Sequence, residues 1–303
     1  MQMTVARALA GVVGWFAVGV AGCGSVTATK PDAAGTSDGP AADTSPDATL
    51  SWSALSPIAV GYSGPVIAPV VSEDGLTLYF LAELSSPTFD YDIYSASRAS
   101  VNDAFGVATQ LINVNLAGHQ ARYPDVSSDG LELYFSDGDT GTLMMAIRSN
   151  TSSAFSVPDV VRPGVAGNFA SISGDKLALY YIAHIGNADG MVMRTSRAAV
   201  GQPWSAPAPV TVDGALQIYS SIDISADELS LLRAPTSSSQ NRNVLISRRS
   251  DKTAAFTATE VLQVTGISAV RFASTHWSNH ESAIWASTGV NSNVETLQVS
   301  LLH

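Results

Sequence analysis

Cysteine is almost missing from this chain: Cys23 stands alone among 303 residues. One thiol excludes an intramolecular disulfide and a thiolate-bound metal cluster. Basic residues are also scarce, 15 Lys and Arg against 26 Asp and Glu, for a formal net charge of -11. Neutralising phosphates requires a clustered basic footprint, so nucleic acid is not an expected partner, nor is an anionic membrane surface an electrostatic one. Catalytic signatures are lacking too. The one Gly-x-Ser-x-Gly string, GTSDG at residues 35–39, lies in a stretch with nothing to bury rather than between a strand and a helix, so it presents no nucleophile elbow, and no glycine-rich loop is placed to cradle phosphate. No cofactor and no metal-ligand set is expected. His276 and His280 share i, i+4 spacing, but they flank a strand signal, where that spacing does not converge on an ion.

The chain has one strongly apolar run. After Arg7 comes ALAGVVGWFAVGVAGC, uncharged and short for a membrane span. A basic start, a short apolar core and small residues before a cleavage point describe an export signal over residues 1–22. Its ending, Val20-Ala21-Gly22-Cys23, resembles the bacterial lipobox. That resemblance implies lipidation at Cys23 and a membrane-anchored protein of the cell envelope. Gly24 occupies the position where an aspartate would favour inner-membrane retention, which points to the outer membrane, its face undetermined. Residues 23–49 are rich in Gly, Ser, Thr, Pro, Ala and Asp with little to bury, the composition of a disordered tether.

From residue 50 to 303 the pattern is all-β and repetitive. VVSEDGLTLYF (70–80), DVSSDGLELYF (125–135), SISGDKLALYY (171–181) and DISADELSLLR (223–233) are near-copies, and HWSNHESAIWA (276–286) is a degenerate one. Aspartate can bond its own turn backbone and glycine accepts positive φ, so Asp74, Asp129, Asp175 and Asp227 read as turn-formers before an alternating strand. A third strand follows each copy, then an aromatic-led segment, giving four strands per unit. The aromatic column Trp52, Phe105, Phe155, Trp204, Phe256 is spaced 53, 50, 49 and 52 residues. The last unit lacks its aromatic segment, and residues 50–58 supply one at the other end. The expectation is a five-bladed β-propeller closed by that N-terminal strand, with no open edge.

The Ser-x-Asp-Gly-x-x-Leu-Tyr-Phe pair, followed by Asp92-Ile93-Tyr94, resembles the WD40-like repeat of TolB-type bacterial β-propellers. The resemblance implies a scaffold or protein-binding module, with no partner-contact motif carried over. Strand parity turns Val71, Val126, Ile172, Ile224 and Trp277 between blades and Val70, Asp125, Ser171, Asp223 and His276 toward the axis. Tyr123 and Phe169 fall two positions earlier on that axial face. Tyr123, Asp125, Phe169, Ser171, Asp223 and His276 are therefore the candidate channel residues. They either hold a cation, a small polar ligand or a glycan, or line a water-filled channel. Five-bladed glycosidases use three carboxylates around the axis, whereas here Asp125 and Asp223 have no third acid at the equivalent position. The leading expectation is a non-catalytic envelope module with a protein partner. The alternative is a glycan-binding or glycan-hydrolysing propeller.

Overall fold

The computed structural model describes residues 56–85, 90–162, 164–184, 190–215, 218–219, 221–234, 244–261, 271–278, 283–290 and 294–301. All belong to the unit spanning residues 49–303. The expected signal, the Cys23 anchor, the tether and residues 50–55 lie outside the described residues. Among the described residues there is no helix.

The strands form antiparallel sheets that follow one another along the chain. The first sheet joins Val66–Val71, Thr77–Ser85, Asp90–Ser97 and Thr109–Gln110 in that order. The second joins Ala121–Val126, Glu132–Asp137, Leu143–Ile147 and Asp159–Val160. The third runs through Asn168–Ile172, Ala178–His184, Gly190–Ser196 and Ala208–Pro209, with Ile218–Tyr219 added beside Gly190–Ser196. The fourth joins Ser221–Ile224, Ser230–Ala234, Leu245–Arg248 and Thr257–Val261. The closing sheet joins Arg271–Ser278, Ala283–Val290 and Val294–Leu301, then takes its outer strand from the other end of the domain. Ser56–Pro57 pairs there, with Ser56 opposite Val299 and Pro57 opposite Gln298. A further two-stranded pair, this one parallel, links Val60–Gly61 to Phe105–Val107.

Packing explains why the second strand of each unit is apolar on both sides. Leu78 and Phe80 lie in a cluster with Trp285 of the closing sheet, whereas Tyr79 and Leu81 pack with Leu133 and Phe135 of the second. Tyr134 turns the other way, against Leu179 and Tyr181 of the third sheet. Tyr180 and Ile182 in turn meet Ile222 and Leu231 of the fourth. Successive side chains thus enter successive interfaces, and each fully buried Leu or Phe contributes about 1.5–3 kcal/mol. The inner strand of the fourth sheet lies beside Arg271–Ser278, and Arg271–Ser278 lies beside Val66–Val71. The result is an all-β propeller, each sheet sandwiched between two others.

The repeated turn has the chemistry its sequence suggests. Ser72 Oγ donates to Asp74 Oδ1 at 2.6 Å, the Leu76 amide donates to the same oxygen at 2.9 Å, and Thr77 N–H donates to Ser72 Oγ at 2.9 Å. The same three bonds recur around Ser127 and Asp129, Ser173 and Asp175, and Ser225 and Asp227. The residue after each aspartate is left-handed: Gly75 at φ 74°, Gly130 at 69°, Lys176 at 61° and Glu228 at 64°. Glycine accepts this conformation without cost, whereas a side chain there costs roughly 1–2 kcal/mol. The fifth copy's turn, residues 279–282, lies outside the described residues.

Candidate functional site

The inner strands carry the candidate residues, and each of the first three is broken by a bulge. Pairing shifts register between Ile67 and Val70, between Arg122 and Asp125, and between Asn168 and Ser171. At these breaks Ala68, Tyr123 and Phe169 adopt φ of 47°, 53° and 52°. Simple alternation therefore does not hold across them. The bulge, not parity, re-aims these side chains.

Even so, Tyr123, Asp125, Phe169 and Asp223 line one cavity, together with Ala68 and Val70. The Tyr123 and Phe169 rings stack with centroids 4.0 Å apart at 29°. Free space within the cavity is about 20 Å³, room for one water rather than a sugar ring. Ser171 stands behind this lining, 2% exposed, and donates to Asp223 Oδ1 at 2.5 Å. His276 lies on the closing sheet's inner strand, opposite Trp285. Its side chain is outside the described residues.

The axial polar groups hold neighbouring sheets together. Asp125 Oδ2 accepts the Ile172 amide at 2.7 Å, from the second sheet to the third. Ser171 Oγ accepts the Ile224 amide at 3.0 Å, from the third sheet to the fourth. A buried amide left unpaired costs about 1–3 kcal/mol, so each side chain spares its neighbour that penalty. Nearby, Ser221 Oγ is fully buried and has no hydrogen-bond partner among the described residues.

A second polar system joins the sheets at the turns, and sequence reasoning missed its main component. Arg98, Arg148, Arg197 and Arg249 end the third-strand runs, spaced 50, 49 and 52 residues apart. Each donates from Nε to a turn carbonyl, of Gly75, Gly130, Lys176 and Glu228, at 2.6–2.7 Å. Each also lies over the aromatic column, with its guanidinium carbon 4.4–4.6 Å from the ring centres of Phe105, Phe155, Trp204 and Phe256. The same arginines reach backward: Arg148 to the Tyr79 hydroxyl at 3.0 Å, Arg197 to Glu132 at 2.7 Å and Arg249 to the Tyr180 hydroxyl at 2.8 Å. Arg98 sits 5.7 Å from the Trp285 ring centre. The identical spacing of arginine and aromatic was the available signal. Trp204 and its counterparts are thus cation–π platforms inside the repeat, which leaves them unsuited to stacking a sugar.

Glu228 collects the densest charge. Its carboxylate meets Arg194 at 3.1 Å, Arg249 at 3.5 Å and Lys252 at 3.0 Å, and accepts the Tyr180 hydroxyl at 2.9 Å. Burial, then the Glu228 charge, push the Tyr180 phenol up to about 12. Buried Arg233 is held by Ser247, Thr259 and Asp213 and by the Tyr219 hydroxyl. Both clusters are fully engaged in structure. Among the described residues, neither lines the axial cavity.

No protein-family description matches the chain, and no curated protein matches it in sequence. Its fold does have solved counterparts. The alpha-L-arabinofuranosidase PaAbf62A of Podospora anserina, in complex with cellotriose, superposes with a TM-score of 0.56 at 12% identity, covering 84% of this chain and 97% of that one. The GH43 beta-xylosidase/alpha-arabinofuranosidase CoXyl43 from a compost microbial metagenome gives 0.53 at 11%, covering 83% and 94%. TolB of Acinetobacter baumannii gives 0.49 at 15%, covering 79% of this chain and 55% of that one. At such identities the likeness is one of architecture alone: the chain has the β-propeller fold.

Proposed function

We propose that this protein is a lipid-anchored propeller of the cell envelope, serving as a non-catalytic protein-binding or scaffold module. The ring is read as five blades, taking the five-stranded third sheet as one blade with an added strand. The observation that carries the non-catalytic reading is the use of Asp125 and Ser171 as acceptors for the Ile172 and Ile224 amides. A general acid or nucleophile must reach substrate, whereas Asp125 Oδ2 and Ser171 Oγ are taken up by buried backbone amides. The water-sized cavity agrees. Anchoring rests on the lipobox at Cys23 and the tether behind it. The outer membrane is the proposed location.

Fractionation of the producing cell tests the anchor. The native chain is expected with the membranes, and Cys23→Ser is expected in the soluble fraction; equal partitioning would overturn it. Cross-linking in intact envelope should capture the same protein partner repeatedly, and repeated capture of none would count against the scaffold role.

A second reading is favoured by one feature, the stacked Tyr123 and Phe169 rings beside Asp125 and Asp223. This is a glycan-binding or glycan-hydrolysing channel, in the manner suggested by the arabinofuranosidase fold counterparts. Arabinosyl and xylosyl oligosaccharides are the probes. A signal abolished by Asp125→Asn and Asp223→Asn would establish this reading, and no signal from the native chain would retire it.

A further inference from the structure

Away from the axis, one group of side chains combines donor chemistry with an open space. His119 sits in the loop before the second sheet's inner strand, Asp137 ends that sheet's second strand, and Asp139 lies in the turn that follows. One donor atom from each lies within 4.8 Å of the others. His119 Nδ1 is already 3.2 Å from Asp137 Oδ2. Beside them opens a cavity of about 60 Å³, walled by Val114, Leu116, Phe135 and Met144, with His119 and Asp137 in its lining.

We propose that His119, Asp137 and Asp139 form a binding site for a divalent transition-metal ion such as Zn²⁺, its open coordination position facing the apolar cavity. An imidazole nitrogen and carboxylate oxygens are ligand types that Zn²⁺ accepts, and three protein ligands leave a fourth position open. Calcium is disfavoured because it takes six to eight oxygen ligands and no nitrogen. Tetrahedral bonds of ~2.1 Å set ligand atoms ~3.4 Å apart, so the His119–Asp137 separation of 3.2 Å already fits and the exposed Asp139, within 4.8 Å of both, closes in on the ion.

Surrounding bonds orient the ligands. The Asp139 amide donates to Asp137 Oδ1 at 3.0 Å, and Thr140 Oγ1 donates to Asp137 Oδ2 at 3.0 Å. Gln120 Nε2 donates to Asp139 Oδ1 at 3.2 Å. Such outer partners fix the direction of a metal-binding carboxylate. The apolar wall keeps water from one side of the ion and leaves space for a small exogenous ligand there.

Calorimetric titration of the full chain with ZnCl₂, and separately with CaCl₂, tests the site. One equivalent of Zn²⁺ is expected to bind, with Ca²⁺ giving no comparable heat. His119→Ala and Asp139→Asn each change an exposed residue, so both variants should keep the native melting temperature in the absence of metal. Each is expected to weaken Zn²⁺ by more than tenfold, and Gln120→Ala by about tenfold. Zn²⁺ binding unchanged in the first two variants, absence of binding by the native chain, or equal affinity for Ca²⁺ would each overturn the assignment.

Discussion

The first and second sheets share one backbone turn with the third and fourth, yet the two pairs solve its left-handed residue differently. Gly75 and Gly130 take the conformation freely. At Gly130 there is also little room: a Cβ would come within 3.2 Å of Arg148 and 3.3 Å of Thr151. Lys176 and Glu228 adopt the same φ with charged side chains, and each reaches back to the preceding sheet. Lys176 meets Asp129 at 2.5 Å, and Glu228 meets Arg194 at 3.1 Å. The interface between the first two sheets is mainly apolar, with Arg148 on the Tyr79 hydroxyl and Arg122 over the Tyr91 ring among its polar ties. Those between the second, third and fourth add buried ion clusters. An unfavourable backbone conformation is thus retained where its side chain completes an interface.

The largest test of this contrast is Glu228→Ala. It leaves Arg249 and part of Arg194 without their carboxylate in a buried setting, so a loss of about 3–5 kcal/mol is expected in urea unfolding. A loss under about 1 kcal/mol would mean that the cluster is solvated and weak.

Swapping the two turn solutions comes next. Gly130→Ala should destabilise by about 1–2 kcal/mol from positive φ alone, with the contacts near Arg148 adding to it. Lys176→Gly removes a similar strain but also the contacts to Asp129 and Glu132, so its net effect should be within about 1 kcal/mol of zero. Equal losses in the two variants would erase the distinction between the turns.

The smallest effect concerns acid. Asp175 is raised by burial, but bonds from Lys252, Ser173 and the Leu177 amide outweigh this and hold it down to about 2, below its ordinary 3.8. A depressed carboxyl contributes stability that is present above its unfolded value and is lost as pH falls through its folded one. Stability should therefore decline between about pH 4 and pH 2, by less in Asp175→Asn than in the native chain. Much of that side chain is exposed, so the difference will be modest.

The repeat was legible because turn and strand chemistry are local. The Ser72 and Asp74 side chains make their turn bonds within five residues, and the spacing of Trp204 and Phe256 reports the unit length directly. The candidate channel was legible in part. Tyr123, Asp125, Phe169 and Asp223 do line one cavity, although positive φ at Tyr123 and Phe169, invisible to a two-residue period, is what aims them. The arginine ladder's bonds across sheets were not legible because they join residues 65 to 69 positions apart. His119, Asp137 and Asp139 also carried no spacing signature, since a loop, a strand end and a turn bring them together.

By itself, then, the sequence determined the all-β repeat, the turn chemistry and the exchange of a strand between the two ends of the domain, because each follows from short-range bonding and periodic burial. Tertiary structure alone decided what the axial aspartate and serine do, accepting amides of the next sheet, and which distant charges meet. Those contacts depend on how one sheet is rotated onto its neighbour, a relation no local pattern encodes.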